Sequence, residues 1–245
     1  MTVDAQFRDG VLRLAIKVED SLNALDIETI AGMRAALGAA RARADLRLVI
    51  VESALNRVFS LGMNLAKLEE VEDARAWTGF EVIAEYIELL VDIASAPVPT
   101  LSVVDGIAAA GGVELACVCD TVIGTSNATF AIAQLRKGIF PFVSSAVLVP
   151  KIGHARVMHW ALSGQTYPAK RLYDLGLINQ LCEPEDRDRS VALFSERVLS
   201  FDPHTLRAGV AALRTESDMV QRIRRAHALF TLNCLARLEE GGLAP

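Results

Sequence analysis

The chain has 245 residues, of which 52% are apolar and 22% charged, and its formal charge at pH 7 is −5. That is the balance of a globular chain large enough for one domain, or for one domain with a helical appendage. The net negative charge argues against nucleic acid as the main partner, because Lys and Arg are scattered and cluster only at Arg222, Arg224 and Arg225. Residues 1–10 carry neither the apolar core nor the basic leader of a signal peptide. The apolar stretches 107–119 and 139–149 are too short to span a bilayer and contain Glu114 and Pro141. The expectation is a cytoplasmic protein without membrane contact. Cys117, Cys119, Cys182 and Cys234 lack paired spacing, and His154, His159, His204 and His227 form no HExxH-like pair, so no metal site is expected.

Val11–Ile16 alternates between apolar and other residues and reads as a strand. Over residues 26–41, Ile27, Ile30, Met33, Leu37 and Ala40 recur at helical spacing, with Asp26 as the N-cap. Residues 46–51 are a short β-branched run, a second strand. Residues 75–93 place Trp77, Phe80, Ile83, Ile87 and Leu90 on one face of a long helix. After the breakers Pro97 and Pro99, Thr100–Val104 reads as a strand that enters an Asp105-Gly106 turn. Gly111 and Gly112 open a short helix to Val118, and 121–124 and Thr129–Ala131 read as short strands. Beyond Phe140 the pattern is helical, at 144–152, 155–162, 169–175, 185–199, 203–214 and 217–239. The class is therefore α/β, a mixed core over residues 1–195 with a helical region over residues 196–245.

Two segments break the local rules: 59–65 (FSLGMNL) and 106–116 (GIAAAGGVELA). A glycine pair ahead of a helix lets the backbone take positive φ and approach a ligand closely. The helix N-terminus aims unpaired N–H groups and a partial positive charge at that ligand, which suits a developing oxyanion. Losing one such donor typically costs about 3–4 kcal/mol of barrier stabilisation. Glu114 lies one turn beyond Gly111 in apolar surroundings, where burial raises a carboxyl pKa toward the working pH. The same glycines also suit simple close packing, with Glu114 paired to a lysine or arginine. On the residues alone both readings stand.

These segments resemble the crotonase superfamily, which includes enoyl-CoA hydratases and isomerases. Ser21-Leu22-Asn23-Ala24-Leu25 is similar to its early "NAL" stretch. Residues 46–65 resemble a strand followed by F-S-x-G-x-D-L, with Asn64 where Asp is common. Residues 105–120 resemble G-x-A-x-G-G-G-x-E-L-A-x-x-C-D, with Ala110 where the first of the three glycines is usual. Gly138-Ile139-Phe140-Pro141 and Gly176-Leu177-Ile178-Asn179 complete the order. The resemblance implies a crotonase-like spiral of ββα units with a C-terminal α-helical oligomerisation region. It implies a homotrimer or a dimer of trimers, with the stripe Val220, Ile223, His227, Phe230 and Leu235 suited to packing between subunits.

Residue by residue, the resemblance implies oxyanion donors at the N–H groups of Met63 and Gly111. It puts Glu114 at the first of the two glutamates that hydratases use. The second glutamate position is held by Gln134, whose amide can orient a water but cannot donate and recover a proton. Substrate contacts are expected from Ala24, Leu25, Met63, Asn64, Leu65, Gly111, Gln134 and Phe140, with Trp77, Phe80 and Phe142 as further candidates for the acyl wall. Asp120 reads as structural. The ligand would be an acyl-CoA or an acyl-carrier-protein thioester, CoA or phosphopantetheine being part of the substrate, with no separate cofactor. Glu19-Asp20 stands where a basic residue near the CoA phosphates is usual, and the C-terminal end lacks the usual F-x-E-K-R-x-P-x-F tail. Hydration or dehydration by a single glutamate leads the expectations, in the setting of fatty acid metabolism. Other enolate reactions (isomerisation, hydrolysis, decarboxylation, C–C cleavage), a carrier-protein-linked dehydratase and a non-catalytic acyl-thioester-binding subunit are the alternatives.

Overall fold

The computed structural model describes residues 2–64 and 75–239, with side chains described outside 75–79, 137 and 237–239. The chain opens on a hairpin of β1 (Val3–Arg8) and β2 (Val11–Ile16), paired antiparallel from Val3↔Ile16 to Arg8↔Val11. Its two-residue turn puts Asp9 (φ 50°) and Gly10 (φ 80°) in the left-handed conformation that tight hairpins demand. After β3 (Ala24–Leu25) comes α1 (Ile27–Arg41), whose Asp26 cap accepts from the Thr29 N–H at 2.9 Å, as the sequence predicts.

Three strand–strand–helix units follow. They are β4 (Leu48–Ser53), β5 (Val58–Ser60) and α2 (Arg75–Ala94), with the short β6 (Gly62–Met63) between β5 and α2; then β7 (Thr100–Val104), β8 (Ile107–Ala109) and α3 (Gly111–Val118); then β9 (Thr121–Thr125), β10 (Thr129–Ala131) and α4 (Phe142–Ile152). The first strand of each unit joins one sheet and the second strand joins another. With β11 (Thr166–Pro168) and β12 (Gln180–Cys182), the sheet orders are β1-β2-β4-β7-β9-β12 and β11-β10-β8-β5, and β3 pairs with β6 apart from both. From β2 to β12 the larger sheet is parallel. This is the expected α/β spiral of ββα units.

Both faces of the parallel sheet are covered, so β4 reads as an unbroken apolar run followed by a buried Glu52 and Ser53. Val49 and Val51 enter the main core with Leu14, Phe59 and Leu115. Leu48 and Ile50 turn the other way, with Leu101, Val103 and Ile123, against Val191 and Val198 of α7 (Arg187–Ser200). The remaining helices are α5 (His154–Ser163), α6 (Ala169–Asp174), α8 (Pro203–Ser217) and α9 (Met219–Glu239).

The helical tail departs from expectation in three places. The division at 195/196 falls inside α7, whose Val191 and Val198 share one cluster. The helix expected over 217–239 starts later, because Asp218 (φ 51°) adopts a left-handed cap that separates α8 from α9. Aspartate is among the few non-glycine residues that visit this conformation readily. The stripe assigned to subunit packing mostly faces its own chain: Ile223 is fully buried and Val220 packs on the main core, while Leu235 is 45% exposed. α9 thus lies against α2 and α4.

Asn23 is the fold's staple near the site. Its amide donates to Ser53 Oγ (2.7 Å) and to the Phe59 carbonyl (3.1 Å), its side-chain oxygen accepts from Val18 N–H (2.7 Å), and its own carbonyl accepts from Ser60 Oγ (2.7 Å). Four segments are thereby locked around the β3–β6 pair. This is the physical role of the asparagine in the "NAL" stretch.

Candidate active site

The site begins with two backbones in contact. β3 and β6 pair as Ala24↔Gly62 and Leu25↔Met63, and the Asn64 N–H donates to the Leu25 carbonyl at 2.9 Å. Gly62 has φ 87°, and a Cβ there would lie 2.6 Å from the Gly111 nitrogen. A Cβ on Gly112 would lie 2.1 Å from the Ser60 carbonyl oxygen. Only glycine fits at either position, so β6 and the start of α3 touch without intervening side chains. Gly111 is the first residue of α3, and its N–H therefore precedes any donor that the helix can satisfy internally. The donors expected at Met63 and Gly111 sit on these two apposed segments.

Ala110, immediately before α3, has φ 47° and ψ −114°, and its N–H donates to the Ala131 carbonyl at 2.8 Å. A side chain in this conformation costs about 1–3 kcal/mol, whereas glycine takes it freely at an unfolded-state cost of about 0.4–1 kcal/mol. Ala110→Gly is accordingly expected to stabilise the protein by about 1 kcal/mol in denaturant unfolding. Unchanged or lower stability would refute the strain assignment.

The two segments open on a cavity of about 510 Å³. Its walls are mainly apolar, with Ile83 and Ile87 of α2, Ile139, Phe140 and Phe142 ahead of and within α4, and Phe230 of α9. Its polar end is formed by Glu114, Gln134 and Tyr86. Glu114 is 6% exposed. Ser144 Oγ donates to Glu114 Oε1 at 2.6 Å and accepts from Gln134 Nε2 at 3.0 Å; Gln134 Nε2 also approaches Glu114 Oε1 at 3.5 Å, the limit of a hydrogen bond. Burial pushes the Glu114 carboxyl above its usual pKa, and the hydroxyls of Ser144 and Tyr86 pull it back in part. A buried carboxyl shifted in this direction is a candidate acid–base group. Gln134 Oε1 is buried and has no protein partner among the described residues.

Of the residues read from the sequence, Ala24, Met63, Asn64, Gly111, Glu114, Gln134 and Phe140 come together around this cavity. Leu25 does not line it. In a two-residue strand neighbouring side chains face opposite ways, so Ala24 meets the cavity and Leu25 is fully buried in the core. Leu65 lies outside the described residues, as does the Trp77 side chain. Phe80 is not in the lining, whereas Phe142 is, its ring tilted against Phe140 at 5.1 Å. Asp120 sits elsewhere, accepting from the N–H and hydroxyl of Thr100 at 2.8 and 2.9 Å and pairing with Arg214 at 2.6 Å, the structural role expected. Cys117, Cys119 and Cys234 are buried thiols, those of Cys117 and Cys119 pushed up to about 12 by burial. The sequence reading missed Tyr86 and Ser144. Tyr86 lies on the apolar face of α2, one residue before Ile87, and Ser144 is a serine within an apolar helix.

The family model for enoyl-CoA hydratase/isomerase matches residues 6–232. The chain belongs to the enoyl-CoA hydratase/isomerase family. A mouse relative, enoyl-CoA hydratase domain-containing protein 2, mitochondrial, is 27% identical over 210 residues, 83% of this chain and 70% of that protein. The 4-chlorobenzoyl coenzyme A dehalogenase-1 of an Arthrobacter species is 28% identical over 157 residues, 63% of this chain and 57% of that one. Among solved structures, an enoyl-CoA hydratase/isomerase from Xanthobacter autotrophicus Py2 matches with a TM-score of 0.86 at 25% identity, covering 95% of this chain and 87% of that one. Hydratases and a dehalogenase thus stand among the relatives of this hydratase/isomerase-family chain. Membership fixes the scaffold and the thioester class; the reaction depends on the side chains at the polar end of the cavity.

Proposed function

We propose that this chain adds water to α,β-unsaturated acyl thioesters, or removes it from β-hydroxyacyl thioesters, with Glu114 as the one acid–base group. The observation that carries the reading is the buried Glu114 carboxyl within the same cavity as Met63 and Gly111. In hydration, ionised Glu114 takes a proton from water as the oxygen bonds to Cβ of the substrate. The electron pair of the double bond moves to the thioester oxygen, where the N–H groups of Met63 and Gly111 stabilise the enolate. Protonated Glu114 then returns its proton to Cα. Gln134 Oε1, the unpartnered acceptor beside Glu114, would hold the second hydrogen of the water.

The test is the loss of enoyl-thioester absorbance when purified protein meets crotonyl-CoA. Turnover is expected, and Gln134→Glu, which supplies a second carboxylate beside Glu114, is expected to raise kcat by about tenfold. Absence of turnover with CoA and pantetheine thioesters alike would sink the hydration reading.

A carrier-bound substrate is the second reading. The turn Glu19–Ser21 leads toward Ala24 of the cavity and exposes Glu19 and Asp20, which disfavour the phosphates of a nucleotide. Equal or better kcat/KM for pantetheine thioesters than for CoA thioesters would support it.

A further inference from the structure

Tyr86 is almost fully buried, at 2% exposure, yet carries a hydroxyl into the polar end of the cavity. Buried phenols normally find a partner, and this one donates to the Gly111 carbonyl oxygen at 2.6 Å. The contact is wider than one hydrogen bond. A Cβ on Gly111 would meet Tyr86 Oη at 3.2 Å and Cζ at 3.3 Å, with the Gly62 Cα at 3.2 Å. The place of a side chain on Gly111 is therefore taken by the phenol and by β6. The same phenol shares the polar end of the cavity with the Glu114 carboxyl. One α2 side chain thus holds the Gly111 peptide at the end of the cavity where Glu114 lies.

We propose that Tyr86 is a positioning residue that couples the oxyanion donor to the acid–base group, its phenol fixing the Gly111 peptide while bordering Glu114. This rests on the reading of Glu114 as the acid–base group. A phenylalanine would fill the same volume but would leave the Gly111 carbonyl without this donor and Glu114 without a neighbouring hydroxyl. Among the described residues, other ionisable groups stand near α3. Cys117 lies on α3 itself, and Lys151 of α4 donates to the Cys119 carbonyl at 2.6 Å. Burial keeps Tyr86 itself neutral, its pKa pushed well up with a further contribution from Glu114, so it remains a donor across the working range.

The experiment compares wild type with Tyr86→Phe in two ways. With crotonyl-CoA, kcat is expected to fall about 10- to 100-fold, KM to stay within about twofold, and the low-pH limb of the rate profile to shift. Independently of turnover, the Glu114 carboxyl is titrated by infrared difference spectroscopy, assigned by its disappearance in Glu114→Gln. Its titration is expected to shift in Tyr86→Phe. A Tyr86→Phe protein that loses only thermal stability, with kcat and the Glu114 titration unmoved, would overturn the proposal. If wild type hydrates nothing but the infrared titration moves with Tyr86, the coupling stands and the hydration reading falls.

Discussion

Glu114→Gln is expected to lower kcat for an enoyl thioester by about 10²–10⁴-fold while changing KM by less than about threefold. The amide keeps the shape of the carboxyl but cannot take and return a proton. Gln134, the neighbour at the second acid position, is an amide already, so no other carboxyl lines the described cavity to take over. The same substitution should make the protein more stable above neutral pH. Burial raises the folded-state pKa of Glu114 above its ordinary 4.5, the desolvation outweighing the hydroxyls of Ser144 and Tyr86. A carboxyl shifted in this direction contributes its full stability below the unfolded pKa and loses it as pH rises through the folded pKa. Glu114→Gln does not titrate, so its melting temperature relative to wild type should climb from about pH 4.5 upward. Activity and stability would then move in opposite directions, the mark of a group kept for chemistry. Wild-type turnover in the variant would remove Glu114 from the mechanism.

What the sequence made legible follows from the range over which each signal acts. α1 was readable from its period and its Asp26 cap, and the start of α3 from Gly111-Gly112, because both depend on neighbours along the chain. The strands β3, β5, β6 and β8, two or three residues each, are too short to show alternation, although they carry the Met63 donor and the contact with Gly112. The hairpin of β1 and β2 carries a local turn signal in Asp9-Gly10. Tyr86 and Ser144 were invisible for another reason. Each acts across the fold, Tyr86 on Gly111 and Ser144 on Glu114, and neither contact leaves a mark in local pattern. Ala110 stood out as a departure from a glycine, but its positive φ is a property of the folded turn.

Gly62→Ala is expected to cost about 10²–10³-fold in kcat and about 1–3 kcal/mol in stability. The added carbon would sit 2.6 Å from the Gly111 nitrogen, 3.0 Å from the Ala109 carbonyl oxygen and 3.1 Å from the Gly111 Cα, at a φ of 87° that an L-residue resists. All three neighbours are backbone, so relief requires β6 or the start of α3 to move. Either movement alters the spacing of the Met63 and Gly111 N–H groups, which must both reach within about 2.7–3.1 Å of one oxyanion. Gly38→Ala supplies the control. Its Cβ would meet nothing within 4 Å on the exposed face of α1, so it should leave kcat alone and gain up to about 1 kcal/mol from helix propensity. Since both substitutions add the same methyl, a kcat loss confined to Gly62→Ala would locate the effect in the donor pair. Retained kcat in Gly62→Ala, despite lower stability, would mean that the enolate is held by other groups, and the oxyanion assignment would fail with it.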